Sequence, residues 1–253
     1  MERADLAQAL ARWRPPGKDR RAHDRRLIVD ASIERFMTRF AQAVAGTGEV
    51  FVGSPAWGDA EKAQVEALLA RQRNASPALG WLMIPTGGTS GGEIKFARHD
   101  AGTIGAAIRG FTQHFGLRRV NAVGVLPLYH VSGLMAWLRS AVTGGDYLAA
   151  DWREVAAGRR PALPARDDGW LLSLVPTQLE RLMQDAGSVA WLREFRVIFI
   201  GGGPSWQGLR ERATGLGLPV APSYGMTETA AMVAALRPGD QPADANTYGA
   251  ELP

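Results

Sequence analysis

Val197–Ile200 reads VIFI, and GGGPSW follows at Gly201–Trp206. A continuous apolar run of this length is typical of a strand covered on both faces. Outward from it, strand-like and helix-like segments alternate. The strand-like segments are 49–52, 79–84, 94–98, 121–126, 170–175, 196–200 and 219–222, and the helix-like segments are 32–44, 54–71, 100–115, 131–142, 176–185 and 205–214. Ser54-Pro55 predicts the start of the second helix, because serine is a preferred N-cap and proline suits the first helical position. The alternation predicts a layered α/β fold of mostly parallel sheets flanked by helices.

Charge and composition narrow the classes of protein that these 253 residues can form. The chain has no cysteine, which excludes disulfide scaffolds and fits a reducing, cytoplasmic setting. Residues 1–26 hold eight Lys/Arg against four Asp/Glu, whereas residues 27–253 hold twenty-one of each. We therefore expect a charged, solvated N-terminal arm over 1–26, an α/β domain over 27–253 and no nucleic-acid partner. No apolar run approaches the roughly 20 residues of a transmembrane helix, so we expect no membrane span.

The segment Pro85–Lys95, PTGGTSGGEIK, carries the clearest chemical signal. It combines four glycines and three hydroxyl residues with one of only three lysines in the chain. A polyphosphate needs this combination of unobstructed backbone N–H groups, hydroxyl donors and a cation. The spacing does not match the P-loop pattern G-x-x-x-x-G-K-[ST]. The segment predicts phosphate binding, and the structural alternative is a Gly-rich surface turn.

The same glycines allow a second interpretation. Gly88–Gly92 satisfies G-x-S-x-G, the nucleophile elbow of α/β-hydrolases, with Ser90 as nucleophile. An elbow turns directly into a helix, whereas the following EIKFA alternates like a strand. A hydrolase is therefore the remote alternative.

Three further segments follow predicted strands. They are LPLYHVSG at Leu126–Gly133, GGGPSW, and SYGMTET at Ser223–Thr229. Each alone has an ordinary structural explanation: a satisfied core histidine, a tight turn or a helix cap. Together they place an imidazole, an aromatic ring and a carboxylate at one sheet edge, beyond which α/β folds bind ligands. This prediction requires the segment near residue 90 and Glu228 to face each other across one cleft.

Five motifs in sequence order resemble those of the adenylate-forming superfamily of acyl-CoA synthetases, luciferases and nonribosomal adenylation domains. They are PTGGTSGGEIK, PLYHVSG, SLVPTQLERLM, GGGPSW and SYGMTETA. TGGTSG followed by IKFARHD, together with SLVPTQLERLM, is most similar to the 2-succinylbenzoate–CoA ligases of menaquinone and phylloquinone biosynthesis. The resemblance runs from about Leu79 to the end of the chain. It implies the large N-terminal domain of an ATP-dependent ligase that takes a small-molecule carboxylic acid, ATP, Mg²⁺ and CoA, and it leaves homodimer formation open.

The resemblance also implies roles for the matching residues. The loop that closes on the ATP phosphates corresponds to Thr86, Gly87, Gly88, Thr89, Ser90 and Gly91, followed by Lys95. Ile94 replaces the family's usual proline, and Lys95 comes one residue later than in the common form. His130 corresponds to a residue between the acyl and CoA pockets, and the acyl pocket would also include Ser132, Thr177 and Gly202. Gly201, Gly202, Gly203 and Pro204 would line the adenine and acyl wall, with Tyr224, Gly225 and Met226 beside the nucleotide. Tyr224 would stack on adenine, Thr227 would contact phosphate and Glu228 would hold Mg²⁺, so that His130, Thr227, Glu228 and Lys95 form the catalytic set.

Other parts that the resemblance implies cannot be placed in this sequence. They are a ribose-binding aspartate in a Thr-Gly-Asp context, a hinge, and a small C-terminal domain with a lysine. Asp240 and Asp244 lack that context. We therefore expect a chain that folds and binds nucleotide weakly but is incomplete for catalysis. Another acyl- or aryl-CoA ligase and a nucleotide-binding fragment without activity are the alternatives. A diacid substrate would also need a cationic or hydroxyl partner for its second carboxylate, and the sequence does not identify one.

Overall fold

The structure is a computed structural model and describes residues 1–14, 25–70, 80–87, 92–203, 207–240 and 250–252. Its helices and strands alternate along much of the chain. In chain order they are α1 (Arg3–Ala9), β1 (Arg26–Ile28), α2 (Ile33–Ala45), β2 (Val50–Val52), α3 (Asp59–Ala70), β3 (Leu82–Pro85), β4 (Phe96–His99), α4 (Ala101–Phe115), β5 (Ala122–Gly124), α5 (Val131–Thr143), β6 (Tyr147–Ala149), α6 (Trp152–Ala156), β7 (Leu171–Leu174), α7 (Pro176–Leu182), α8 (Ala186–Leu192), β8 (Val197–Ile200), α9 (Gln207–Gly215), β9 (Val220–Met226), β10 (Ala231–Ala235) and β11 (Ala250–Glu251). Two compact units result: residues 1–106 with 128–131, and residues 107–127 with 132–253.

The first unit is built on a four-stranded sheet of order β1-β2-β3-β4. The first three strands are parallel, and β4 runs antiparallel to β3. Helix α2 buries an apolar stripe that includes Phe36, Phe40 and Val44, as its three- and four-residue spacing predicts. The Ser32 hydroxyl caps this helix by accepting a hydrogen bond from the Arg35 N–H at 3.4 Å.

Residues 3–10 correct the expectation of a solvated N-terminal arm. They form α1 and its C-terminal turn, and Leu6 and Leu10 are fully buried. Arg3 donates hydrogen bonds to the carbonyls of Ala43, Val44 and Gly48 at 2.9–3.0 Å. The Ala43 and Val44 carbonyls lie in the last turn of α2, where a helix leaves carbonyl groups unsatisfied, and Gly48 lies just after the helix. The arm prediction is wrong here because the first helix packs on α2, while residues 15–24 lie outside the described residues.

The predicted helix start at Ser54-Pro55 is also wrong, since α3 begins at Asp59. The Ser54 hydroxyl accepts a hydrogen bond from the Ala56 N–H at 3.1 Å, and the Ser54 carbonyl accepts one from the Trp57 N–H at 3.2 Å. This closes a tight turn. The Trp57 ring then packs edge-on against Phe96, with 6.3 Å between ring centroids. The Ser54 side chain therefore closes a turn that positions the Trp57 ring, and it does not cap a helix.

The second unit contains a seven-stranded sheet of order β11-β10-β9-β8-β7-β5-β6. Ile198 and Ile200 face one apolar cluster with α7, α8 and α9, while Val197 and Phe199 face another with α4. Alternate residues of a strand point to opposite faces of its sheet. The expectation that VIFI is covered on both faces is therefore confirmed.

Six of the nine strand pairings among the described residues are parallel. This confirms the predicted layered α/β fold with mostly parallel sheets. The predicted strand 219–222 is longer, because antiparallel pairing with β10 extends β9 to Met226. Several short elements were not anticipated, namely α1, β1, β6, α6, α8, β10 and β11. Among the described residues, no helix has the length and apolar character needed to cross a membrane.

Candidate functional site

Two of the predicted motifs meet at the carboxyl edge of the seven-stranded sheet. Strands β7, β8 and β9 are parallel neighbours, so their carboxyl ends lie at one edge. The Gly201 N–H donates a hydrogen bond to the Leu174 carbonyl at 3.3 Å, and the Ser223 hydroxyl donates to the Ile200 carbonyl at 3.2 Å. The segments that begin at Gly201 and Ser223 therefore lie side by side at the position where parallel α/β sheets bind ligands.

The glycines at this edge keep the backbone accessible. A Cβ atom on Gly201 would lie 2.8 Å from the Ser223 hydroxyl oxygen, which is closer than side chains approach. Gly202 has a φ of +74°, a left-handed conformation that favours glycine. Gly202 and Gly203 are exposed, and Pro204 lies outside the described residues. The described part of GGGPSW therefore presents bare backbone at the sheet edge.

The end of β9 carries Tyr224 and Met226, and the turn that follows it carries Glu228. Tyr224 and Met226 are 47% and 40% exposed, and they are the large hydrophobic side chains that stand out on the surface among the described residues. Glu228 is exposed on the 3₁₀ turn Thr227–Thr229. The end of β9 and the turn after it thus present a partly exposed aromatic ring and a carboxylate within five residues.

The backbone after this turn is strained. Ala230 and Ala231 have φ values of 53° and 81° without being glycine. Non-glycine residues held in this region carry a cost of order 1–3 kcal/mol, and such residues cluster at functional sites. A Cβ on Gly225 would lie 2.0 Å from the Ala231 carbonyl oxygen. The close approach of β9 to β10 therefore requires glycine at Gly225 and helps to hold the strained turn.

The glycine-rich segment belongs to the first unit. Thr86 and Gly87 follow β3, whereas Gly88, Thr89, Ser90 and Gly91 lie outside the described residues. The Thr86 N–H donates a hydrogen bond to the Lys95 carbonyl at 2.9 Å and so closes the base of the segment. Lys95 is exposed.

The residues after the glycines lead into strand β4, which pairs antiparallel with β3. No helix begins between residues 92 and 99, all of which the structure describes. The nucleophile elbow requires a helix at this point. The structure therefore does not support the hydrolase alternative.

His130 directly precedes α5 and also belongs to the first unit. Its ring packs against Tyr129, with 4.7 Å between centroids. The side chain is exposed, yet surrounding protein atoms displace part of its water, and this desolvation lowers the pKa of the imidazole. Within the second unit, a Cβ on Gly133 would lie 2.2 Å from the Pro127 carbonyl oxygen, so glycine in the HVSG motif permits close packing.

The predicted substrate residues Ser132 and Thr177 lie in the first turns of α5 and α7, half-buried and exposed respectively. With the motifs at 201–203 and 223–228, they belong to the second unit, whereas Thr86, Gly87, Lys95 and His130 belong to the first. The expectation that the two sets face each other across one cleft stays a prediction.

The structure also reveals a cation that the sequence interpretation missed. Arg139 lies on α5, is only 4% exposed, and has no hydrogen-bond partner for its Nε and Nη2 atoms among the described residues. Its guanidinium carbon lies 4.0 Å from the centre of the Phe111 ring. Burial lowers the pKa of Arg139 to about 9. A lone arginine within the apolar stretch LMAWLRSAV was the available sequence signal.

A family model described as AMP-binding enzyme matches residues 28–253. The chain belongs to the AMP-binding enzyme family. This membership confirms the resemblance to adenylate-forming enzymes that the motifs carry. Among curated relatives of this family member, the 2-succinylbenzoate–CoA ligase of Oceanobacillus iheyensis is 34% identical over 115 residues, which are 46% of this chain and 24% of the relative. The enzyme of the same name from Bacillus subtilis is 29% identical over 180 residues, covering 71% and 35%. The matches thus span about a quarter to a third of those relatives.

Solved structures show the same AMP-binding fold. Wild-type E. coli MenE with a bound analogue of OSB-AMS has a TM-score of 0.71 at 20% identity, covering 99% of this chain and 58% of that one. O-succinylbenzoate coenzyme A synthetase (MenE) from Bacillus subtilis in complex with AMP has a TM-score of 0.71 at 18% identity, covering 99% and 72%. The same Bacillus subtilis protein with ATP and magnesium ion has a TM-score of 0.68 at 20% identity, covering 99% and 58%. These similarities confirm the predicted fold class.

Proposed function

We propose that this AMP-binding enzyme is, or is part of, an ATP-dependent acid–thiol ligase whose acid is 2-succinylbenzoate. In the first step, a carboxylate oxygen of the acid bonds to the α-phosphorus of ATP, and pyrophosphate leaves. In the second step, the CoA sulfur bonds to the acyl carbon, the thiol proton passes to a base, and AMP leaves. The protein must align two anions and offset the charge that develops between them. The cytoplasm, which supplies ATP and CoA, is the compartment that this proposal predicts.

Two segments supply the groups that a nucleotide needs. Thr86 and Gly87 with the exposed Lys95 ammonium offer hydrogen-bond donors and a cation for phosphates. The exposed Tyr224 ring offers a stacking face for adenine. The Bacillus subtilis relative solved with ATP and magnesium ion supports this assignment.

The residues present also fit a magnesium ion. The described residues bring no three potential metal-ligating side chains together, and Glu228 is one exposed carboxylate. Mg²⁺ bound with a nucleotide typically takes one or two carboxylates plus the phosphates, with no dedicated protein cage. Glu228 would hold the ion, which would neutralise phosphate charge during adenylation.

Arg139 is the observation that carries the choice of acid. A buried charge without a partner is costly, and protein interiors rarely keep one without a reason. 2-Succinylbenzoate has two carboxylates, and only one of them is activated. The second carboxylate would give the Arg139 guanidinium the charged hydrogen-bond partner that its Nε and Nη2 atoms lack among the residues that the structure describes. The Phe111 ring beside the guanidinium also suits an aromatic acid.

His130 is proposed to act in the second step. Desolvation lowers the pKa of His130 and so favours the neutral imidazole, whose ring can accept the proton of the CoA thiol. Since the side chain is exposed, it is accessible to a second substrate.

The test compares three acids by isothermal titration calorimetry in the presence of Mg·ATP, and then by pyrophosphate release. We expect 2-succinylbenzoate to bind at least tenfold more tightly than benzoate, which lacks the second carboxylate, and more tightly than decanoate. Binding is the primary measurement, because it does not require the whole catalytic cycle. Equal binding of benzoate and 2-succinylbenzoate would overturn the diacid assignment, and preference for decanoate would make the protein a different acyl-CoA ligase.

A further inference from the structure

Gln64 on α3 holds the backbone that follows the glycine-rich segment. Its side-chain amide donates a hydrogen bond from Nε2 to the Gly92 carbonyl at 2.6 Å and accepts one at Oε1 from the Ile94 N–H at 3.0 Å. In a parallel sheet, one residue pairs in this way with the residues on either side of its neighbour. The amide of Gln64 therefore acts as a one-residue substitute for a neighbouring strand.

This contact restrains residues 92–94 from outside the glycine-rich segment. Within the described residues, Gln64 is the side chain that hydrogen-bonds to this stretch, and it is 28 and 30 residues distant from its two partners. At the base of the segment, the Thr86 N–H donates to the Lys95 carbonyl. The backbone from Gly92 to Lys95 is thus attached at one end to α3 and at the other to the residue that follows β3.

We propose that Gln64 is a positioning residue for phosphate binding: by holding Gly92 and Ile94 it sets where the backbone presents Lys95. This inference rests on the proposed function, in which Lys95 and Thr86 meet the phosphates of ATP. Gln64 does not itself contact a reacting group. Both ends of its amide are engaged by the backbone, and its side chain is exposed on a helix whose apolar anchor is Val65.

Because both contacts are hydrogen bonds of the Gln64 side-chain amide, an apolar side chain of the same length tests them. Gln64→Met keeps the length of the side chain and removes both hydrogen bonds. Ala63→Met is the matched control, because it places the same side chain at the adjacent exposed position of α3 and leaves both hydrogen bonds of Gln64 in place. Neither substitution changes the net charge, and we expect the melting temperatures of both variants to stay close to that of the unsubstituted chain.

The first readout is amide hydrogen exchange in the ligand-free chain. The Ile94 amide should exchange faster in Gln64→Met by roughly two- to tenfold, the change expected for the loss of one hydrogen bond, and should not change in Ala63→Met. Unchanged exchange at Ile94 would overturn the restraint itself, independently of any ligand.

The second readout is affinity for Mg·ATP and for the carboxylic acid, each measured by calorimetry. Gln64→Met should weaken ATP binding by roughly three- to thirtyfold, the range for one to two hydrogen bonds of this kind, and leave acid affinity unchanged. Faster Ile94 exchange with unaltered ATP affinity would overturn the positioning role and leave the proposed function standing. If the unsubstituted chain itself fails to bind ATP, the proposed function is wrong and the positioning role with it.

Discussion

Replacing Arg139 by methionine should stabilise the protein and remove its affinity for a diacid. The guanidinium is buried, its Nε and Nη2 atoms have no hydrogen-bond partner in the part of the chain that the structure describes, and its carbon lies 4.0 Å from the centre of the Phe111 ring. Exchanging buried charge for an apolar side chain of similar volume stabilises proteins by about 1–4 kcal/mol. The lost contact with the Phe111 ring costs about 1 kcal/mol. The net gain of up to about 3 kcal/mol would raise the melting temperature by up to roughly 12 °C in a chain of this size.

The same substitution should weaken 2-succinylbenzoate binding roughly ten- to hundredfold, because a hydrogen bond to a charged group contributes about 1.5–3 kcal/mol. In a thermal-shift assay, the acid at about 100 times its dissociation constant stabilises the unsubstituted chain by about 2.7 kcal/mol, and this increment should vanish in Arg139→Met. Arg160→Met is the control, since Arg160 donates to Asp185 and Ser188, and it should lower stability. If Arg139→Met also melts at a lower temperature, Arg139 has a structural partner and the reasoning is wrong.

Three more predictions follow from single contacts. Glu49 is buried between Arg25 and Arg98, and although its burial alone would raise the pKa, the hydrogen bonds and charges of these two arginines lower it overall. Glu49→Gln should therefore lower the free energy of unfolding in urea by about 2–4 kcal/mol at pH 7. Because the pKa of Glu49 is lower in the folded than in the unfolded chain, the difference from the unsubstituted chain should shrink as the pH falls below about 4.5. A difference that does not change with pH would contradict this. Gly133→Ala should destabilise by about 1–3 kcal/mol, because the new Cβ would lie 2.2 Å from the Pro127 carbonyl oxygen, and unaltered urea unfolding would show that the close approach can relax. Ala231→Gly should be neutral or stabilise by up to about 1 kcal/mol because φ is 81° there, whereas Ala235→Gly on the same strand should destabilise; equal losses in urea unfolding would argue against strain at residue 231.

The spacing of apolar residues along the chain predicted the longer helices well. Helix α4 spans 101–115 against a predicted 100–115, and α5 spans 131–143 against 131–142. Both helices are long enough for an apolar pattern of period 3.6 to be recognised. Short elements such as β6 and α8 were missed, because three to seven residues hold too little pattern to distinguish them from loops. Ser54-Pro55 misled for a related reason, since the same hydroxyl can cap a helix or close a turn.

Some residues of the candidate site were likewise predicted from the sequence, and others were not. Sequence alone placed the motifs at 201–203 and 223–228 after strands, and pairing of β8 with β9 puts them at one sheet edge. Gln64 was invisible in the sequence, because its partners lie 28 and 30 residues away. No local pattern encodes a contact of that kind.

Sequence by itself determined the family, the alternation of strands and helices, and the residue types available for phosphate, adenine and metal. Only the tertiary structure decided what each polar side chain faces. Arg139 is one of 29 Lys and Arg residues in the chain, and although it stands alone within the apolar stretch LMAWLRSAV, the sequence does not show what its side chain faces. It becomes a candidate ligand-binding cation because α4 and α5 pack together and remove its water, and desolvation depends on distant parts of the chain meeting in space.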